Sequence, residues 1–246
     1  MTAMFRFALG ICLAVSAVNA AADALEGILS CHSEAIGGTP AIDGIDNLRI
    51  ELDIREPTFE VTGTYVASRA GLMRIDVFSG EQRVFAEGLN DEGAWQWTPA
   101  GGVTASNAAG AAALRNGIES PGRFWTLEQL RERGLGVELL EPGPLARPEE
   151  WQLRLTPAGG PVLDYFLSRE TCLPTREVSR RAFHPDVDPT EVEVETVFSE
   201  PVTVDGVLRF RRGESRSLAT GEWLGTTEVR SVEQNVILPQ NFFDAL

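Results

Sequence analysis

Residues 61–97 constrain the fold more than any other stretch, because they predict four consecutive short β-strands. The sequence there is VTGTYVASRAGLMRIDVFSGEQRVFAEGLNDEGAWQW. In its first two runs, small or apolar residues recur at every second position, a period typical of strands with one buried face. Glycine and Asx residues that favour tight turns separate the runs at 68–71, 79–81 and 90–93. The stretch therefore predicts an antiparallel meander.

The rest of the chain extends this pattern to a total of eleven to thirteen predicted strands. One lies ahead of the meander at 48–54, and others follow at 137–140, 151–156, 162–168, 175–183, 192–198, 202–211, 214–218 and 223–238. So many strands do not form a flat sheet without curling. We expect a mainly β (α+β) fold, in which a large curved antiparallel sheet forms an incomplete barrel with two or three helices over its concave face.

The predicted helices lie at the two places where the alternation stops. Asp23 and Glu26 are spaced to cap a helix over 23–36, and Gly37 and Gly38 end it. An Ala/Gly-rich insertion over about 101–134 holds a short helix and a second one that opens at Thr126. The apolar face of that second helix, with Phe124, Trp125 and Leu127, suits either a small separate core under a long loop or a lid over the sheet.

The charge of the chain excludes several classes of partner. The 246 residues carry a formal net charge of −15, and every one of the 21 basic residues is arginine. Long-range repulsion opposes binding to nucleic acid and to anionic lipid head groups. We therefore expect a freely diffusing monomer with no nucleic-acid partner.

The N-terminus predicts export. Arg6 precedes an apolar run over 7–18, and Val18-Asn19-Ala20 has the small residues of a signal-peptidase site. The run is too short to span a ~30 Å hydrocarbon core. We interpret residues 1–22 as a signal peptide and residues 23–246 as a single domain without a stable membrane anchor.

Cys31 and Cys172 are the only cysteines outside this signal. In an oxidising compartment they are a candidate disulfide, which would stabilise the fold by about 4 kcal/mol because it closes a long loop. The alternative is a pair of buried free thiols.

Nothing in the sequence predicts catalysis. His32 and His184 are the only histidines, they are far apart, and no metal-ligand spacing or hydrolase motif is present. Cys31 and His32 are neighbours on a predicted helix, so their side chains point about 100° apart and form no catalytic dyad. We expect no enzyme activity, no metal site and no cofactor.

Several motifs, taken in order, resemble the LolA/LolB-like family of periplasmic lipoprotein carriers and outer-membrane lipoprotein-sorting proteins. The segment Tyr65–Met73 resembles the family hairpin that an arginine closes, although Ala70 stands where the family usually has proline. The other similar segments are Val84–Gly88 with Ala94–Trp97, Asp164–Pro174, and Val232–Asn235 with Phe242–Phe243.

The resemblance implies a periplasmic half-barrel whose inner face holds the acyl chains of a lipid or lipoprotein. Its partners would include inner- and outer-membrane trafficking proteins. By position, Arg69 would hold the closed state through hydrogen bonds to the helices. The remaining predicted cavity and lid residues are Leu72, Trp95, Trp97, Phe124, Trp125 and Leu127. The alternative is a lipid-sensing or protein-interaction module of the cell envelope with the same fold.

Overall fold

The structure, a computed structural model, describes residues 22–183 and 185–246. The predicted signal peptide lies outside this range except for residue 22, and so does His184. Over the described residues the helices are α1 (22–35), α2 (Thr39–Asp43), α3 (Ala108–Ile118) and α4 (Leu127–Glu132). The first strands are β1 (Asn47–Glu56), β2 (Phe59–Ser68), β3 (Met73–Ser79), β4 (Gln82–Asn90), β5 (Gly93–Thr98) and β6 (Gly102–Ala105). The later strands are β7 (Gly136–Leu139), β8 (Glu150–Thr156), β9 (Leu163–Ser168), β10 (Pro174–Arg181), β11 (Val192–Val204), β12 (Val207–Ser217) and β13 (Trp223–Gln234).

All thirteen strands belong to one antiparallel sheet with the order β6-β5-β4-β3-β2-β1-β13-β12-β11-β10-β9-β8-β7. The chain thus enters at the middle of the sheet, builds one meander outward to β6, and builds a second from β7 back to β13. Pairing of β1 with β13 joins the two meanders. Because β6 and β7 remain as separate edges, the sheet is an open half-barrel, which confirms the predicted fold class.

The number of helices is a correction to the sequence prediction, which expected two or three. The described residues contain four, and the missed one is α2. It spans five residues, follows Gly37 and Gly38, and carries Pro40 in its first turn, so it has neither the length nor the periodicity that marks a helix in sequence. The capping box of α4 is present, since Thr126 and Gln129 each accept a hydrogen bond from the backbone of the other.

The helices lie on one face of the sheet, which we call the inner face. One apolar cluster packs α2, α3 and the segment before α4 on β1 to β4, and it includes Ile42, Leu48, Met73 and Leu114. A second packs α1 and α4 on β7 to β9, and it includes Leu29, Leu127 and Leu153. Burying each such side chain contributes about 1.5–3 kcal/mol. The two clusters cover the two wings of the half-barrel.

Candidate functional site

A cavity of about 570 Å³, partly open to solvent, lies on the inner face. This volume is within the range of about 300–1,000 Å³ common for small-molecule sites. Its roof is formed by α1 and by residues 119–126, which we call the α3–α4 loop, and its walls by β1, β2 and β9 to β13. The apolar part of the lining includes Ile36, Ile50, Leu52, Ile54, Phe183, Phe198, Leu208, Phe210, Val229 and Val232.

The strand register explains why so many apolar side chains meet at this point. Side chains of a strand alternate between faces, so Ile50, Leu52 and Ile54 of β1 share the inner face. On the neighbouring strand β13, Val232 lies opposite Ile50 and Val229 opposite Leu52. A period of two in the sequence therefore becomes a continuous apolar wall across paired strands.

The α1 side of the roof is fixed covalently. A disulfide joins Cys31 of α1 to Cys172 in the turn between β9 and β10. The adjacent His32 is 1% exposed and donates from Nδ1 to the Cys172 carbonyl oxygen at 3.0 Å. Burial lowers the pKa of His32 to about 4, although this hydrogen bond opposes the shift. The imidazole that lines the cavity is therefore neutral at pH 7.

Two arginines connect the α3–α4 loop to the walls. Arg123 of the loop donates from Nη1 to the Tyr65 hydroxyl on β2 at 2.7 Å, and its guanidinium carbon lies 4.8 Å from the centre of that ring. Arg209 of β12 donates from Nη1 to the Gly122 carbonyl oxygen at 2.7 Å. The loop is thus held between β2 and β12, and both guanidinium groups line the cavity.

The tyrosine on the far wall stays protonated. Tyr165 of β9 is 5% exposed and lines the cavity. Burial, together with the negative charge of Glu177, raises the pKa of its hydroxyl well above the usual value. Tyr65 and Tyr165 are the only two tyrosines of the chain, and their rings line opposite walls of the cavity.

Arg69 is not part of the cavity lining, and its side chain holds α2 instead. Its Nε donates to the Ile45 carbonyl oxygen at 2.9 Å, and its Nη2 donates to the Ile42 carbonyl oxygen. The guanidinium also lies 3.7 Å from Asp43 and 5.7 Å from the centre of the Trp125 ring. These contacts join the β2–β3 turn to the C-terminal end of α2 and to Trp125 of the α3–α4 loop.

Trp95 and Trp97, which the sequence suggested as cavity walls, lie on the opposite face of the sheet. Leu89 pairs with Ala94 on the inner face, and alternation places Trp95 opposite Gly88 on the outer one. There the Trp95 indole donates to the Phe243 carbonyl oxygen at 3.3 Å. The prediction recognised that the two indoles share a face but had no means to identify which face the helices cover.

The other predicted residues pack in the core around the cavity and are not part of its lining. Phe124 and Trp125 have ring centres 5.7 Å apart and belong to the cluster under α2 and α3. Leu127 is fully buried in the cluster under α1. Leu72 is half-buried in the β2–β3 turn, where its carbonyl oxygen accepts from the Ser68 amide at 2.9 Å. Of the predicted set, the structure brings Arg69, Phe124 and Trp125 together.

The lining residues that sequence reasoning missed are of two kinds. Tyr65, Tyr165 and the β1 residues lie on strands whose alternation was recognised, so the signal was present in the sequence. No such signal marked Arg123 or Arg209. Arg123 lies in a loop without periodicity, and nothing in the sequence distinguishes Arg209 from the other arginines among the 21. Within residues 22–183 and 185–246, no group of three His, Cys, Asp or Glu side chains is placed to hold a metal ion.

Comparison with known proteins identifies the fold. No protein-family model matches the chain, and no curated protein matches its sequence. Among solved structures, the chain is similar to a LolA superfamily protein from Nitrosomonas europaea, with a TM-score of 0.57 at 10% identity over 89% of this chain and 96% of that one. It is also similar to a DUF1329 family protein from Desulfovibrio piger, with a TM-score of 0.54 at 13% identity over 89% and 96% of the two chains. A third similar structure is a putative outer membrane lipoprotein-sorting protein domain from Vibrio parahaemolyticus, with a TM-score of 0.53 at 12% identity over 88% and 95%.

The chain therefore has a LolA-like fold, an open half-barrel with helices on its inner face. The resemblance found in the sequence motifs is confirmed at the level of the fold. None of the helices within the described residues is both long and apolar enough to cross a membrane.

Proposed function

We propose that this protein binds the acyl chains of a lipid or lipoprotein on the inner face of the half-barrel and carries them as part of cell-envelope trafficking. The observation that carries the proposal is the cavity of about 570 Å³ with its apolar wall from β1, β11, β12 and β13. Each methylene moved from water into such a site contributes about 0.8 kcal/mol. The similar fold of a protein named as an outer membrane lipoprotein-sorting domain supports the same class of cargo.

We also infer that residues 1–22 direct export to the periplasm and that residues 23–246 work there as a single non-enzymatic domain. The single sheet that runs through the described residues from β1 to β13 supports the single domain. The apolar run over 7–18 followed by Val18-Asn19-Ala20 supports export. Its partners would be the acyl cargo and the membrane proteins that deliver and receive it.

Release of cargo requires the roof to move, and the contacts indicate which part moves. The disulfide holds α1, whereas α2 and the α3–α4 loop are held by the non-covalent contacts of Arg69, Arg123 and Arg209. We propose that the cavity opens by movement of α2 and the α3–α4 loop away from the sheet, and that Arg69, which contacts both α2 and Trp125 of that loop, stabilises the closed state.

A substitution at Gly213 tests the cargo site. Gly213 lines the cavity, and a Cβ added there meets only the Thr196 methyl group, at 3.7 Å. Gly213→Trp therefore fills the cavity without straining the backbone, and Gly213→Ala is the matched control. We expect the Trp variant to lose binding of a fluorescent fatty acid and the Ala variant to retain it.

Equal binding by the two Gly213 variants, or no binding by the native protein, would contradict an acyl site in this cavity.

A second experiment, lipid transfer between vesicles, distinguishes a carrier from a lipid-sensing module. A protein that takes up lipid without transferring it between donor and acceptor vesicles would be a sensing module and not a carrier.

A further inference from the structure

Two of the arginines that line the cavity, Arg123 and Arg209, have no ion pair with a carboxylate among the described residues. Within the described part of the chain, every hydrogen bond of Arg123 and Arg209 goes to an uncharged oxygen: the Tyr65 hydroxyl and the carbonyl groups of Gly117, Gly122 and Arg123 itself. The other arginines of the lining have carboxylate partners, which are Glu60 for Arg55, Glu177 for Arg181, and Glu228 for Arg212.

Such an arrangement is costly in the absence of an anion. Removing a guanidinium from bulk water is unfavourable unless a counter-charge compensates, and two like charges in one partly buried site repel each other. The pKa of Arg209 reflects this cost, because burial and the neighbouring Arg123 lower it to about 10. The net charge of −15 opposes long-range attraction to an anionic membrane surface. At contact distance inside the cavity, however, the two guanidinium groups act more strongly on a single bound anion than the distant surface carboxylates do.

Donors remain available for an anion. The Nε of Arg209 is buried without a hydrogen-bond partner in the described structure. For Arg123, the hydrogen bonds to described residues both come from Nη1, which leaves its Nε and Nη2. The Tyr65 hydroxyl accepts from Arg123, and its own proton is therefore free to be donated. Guanidinium groups with free adjacent N–H donors suit the paired oxygens of a carboxylate or phosphate.

We propose that Arg123 and Arg209 bind the head-group oxyanion of an acidic amphiphile whose acyl chain lies against the apolar wall of the same cavity. The ligand class is thus a fatty acid or an anionic phospholipid, which share a carboxylate or phosphate oxyanion joined to an apolar chain. This inference rests on the proposed function, since it specifies the cargo of that site.

The test compares hexadecanoate with hexadecanol, which have the same chain length but differ in head-group charge. Binding to the full mature chain is measured by displacement of a fluorescent fatty-acid analogue. The double variant Arg123→Gln with Arg209→Gln removes both cations. Arg211→Gln is the matched control, because Arg211 is an exposed residue of β12 that does not line the cavity. Circular dichroism and thermal unfolding verify that each variant is folded.

We expect the native protein to bind hexadecanoate about tenfold or more tightly than hexadecanol, as is typical for charge-assisted hydrogen bonds. The double variant loses that preference and still binds hexadecanol, whereas Arg211→Gln behaves as the native protein. Equal affinities of the native protein for the two ligands, or equal losses of both in the double variant, overturn the proposal while the acyl site stands. If neither ligand binds the native protein, the proposed function itself is contradicted.

Inorganic phosphate, titrated alone, distinguishes the source of the oxyanion. Weak binding or none is expected, because the apolar chain supplies much of the affinity. Tight binding of phosphate that depends on the same two arginines would instead show that the pair binds a free anion. That result would overturn the proposal that the ligand is an acidic amphiphile.

Discussion

Cys31 and Cys172 are 141 residues apart in the chain, and the disulfide between them fixes the first helix to the far wing of the sheet. The turn residue Cys172 adopts a left-handed conformation with φ of 57°. The covalent link, with the His32 hydrogen bond to the same residue, makes α1 the rigid part of the roof.

Replacing both cysteines by serine is expected to lower the free energy of unfolding by about 4 kcal/mol, because the unfolded chain gains the freedom of a long open loop. Urea unfolding of the native protein and of the double variant, each with and without reductant, measures the difference. Reductant should destabilise only the native protein. A native protein insensitive to reductant under denaturing conditions would refute the assigned role of the disulfide.

Arg69→Leu is expected to destabilise the protein by about 2 kcal/mol, since charged donors to the Ile42 and Ile45 carbonyl oxygens are lost. It should also speed release of a bound fatty acid, because α2 is no longer held. Stopped-flow displacement measures the release rate, and urea unfolding measures stability.

Arg169→Leu is the matched control for Arg69→Leu. Arg169 follows a serine in another hairpin turn, donates to the Glu150 carbonyl oxygen at 2.9 Å, and lies 5.5 Å from the centre of the Trp151 ring. It holds no helix, so its loss should change stability but not release. The same release rate in both variants would refute a specific role for Arg69.

The ion pair of Glu150 and Arg176 is expected to make stability depend on pH. Both residues are 2% exposed, and Arg176 Nη2 lies 2.6 Å from Glu150 Oε2. Burial raises the pKa of Glu150, but hydrogen bonds from Arg176 and Thr175 outweigh this effect and lower it overall. A carboxyl whose folded pKa is lowered adds stability above its ordinary pKa and loses it as the pH falls through the folded value.

Glu150→Gln should therefore cost about 3 kcal/mol at pH 7, because Arg176 keeps its charge in a buried site. The difference from the native protein should shrink as the pH falls below the ordinary value of 4.5. Glu214→Gln is the control, because Glu214 pairs with Arg212 and Arg216 on a more exposed part of β12. It should cost less than about 1 kcal/mol. Urea unfolding across this pH range provides the measurement, and a difference independent of pH would contradict the assignment.

Trp95→Phe is expected to leave fatty-acid affinity unchanged and to lower stability modestly. Trp95 contacts Phe243 and lies 5.8 Å from the Arg74 guanidinium on the outer face. Phe198→Leu, at the cavity wall, should weaken the affinity instead. Reduced affinity in the Trp95 variant would show that the outer face takes part in binding.

Much of the fold was accessible from the sequence because it depends on local rules. Alternation over 48–54 and 61–97 predicted the strands that pair as β1 to β5, and the Thr126 capping box predicted α4. The failures had local causes as well. The helix α2 is too short to show a period. The sequence predicted strands over 192–198 and 202–211, whereas β11 runs without a break over Val192–Val204 and β12 begins at Val207, because Pro201 lies within the ladder and interrupts the pattern.

The candidate site was less accessible, since its residues come together only through long-range pairing. Ile50 and Val232 are neighbours because β1 pairs with β13, and nothing near either residue in the chain indicates this register. Arg123 meets Tyr65 because a loop closes over β2. The alternation of β5 likewise predicted that Trp95 and Trp97 share a face, but not that this face is the one opposite the helices.

The sequence by itself determined that this chain forms a curved antiparallel sheet with helices on one face, because period-two alternation and capping signals act over a few residues. Only the tertiary structure decided which face those helices cover and where the cavity remains. It also decided that two arginines with no carboxylate partner among the described residues share that cavity with an apolar wall. These features depend on strand order and helix docking, whose energies arise from contacts between residues far apart in the chain.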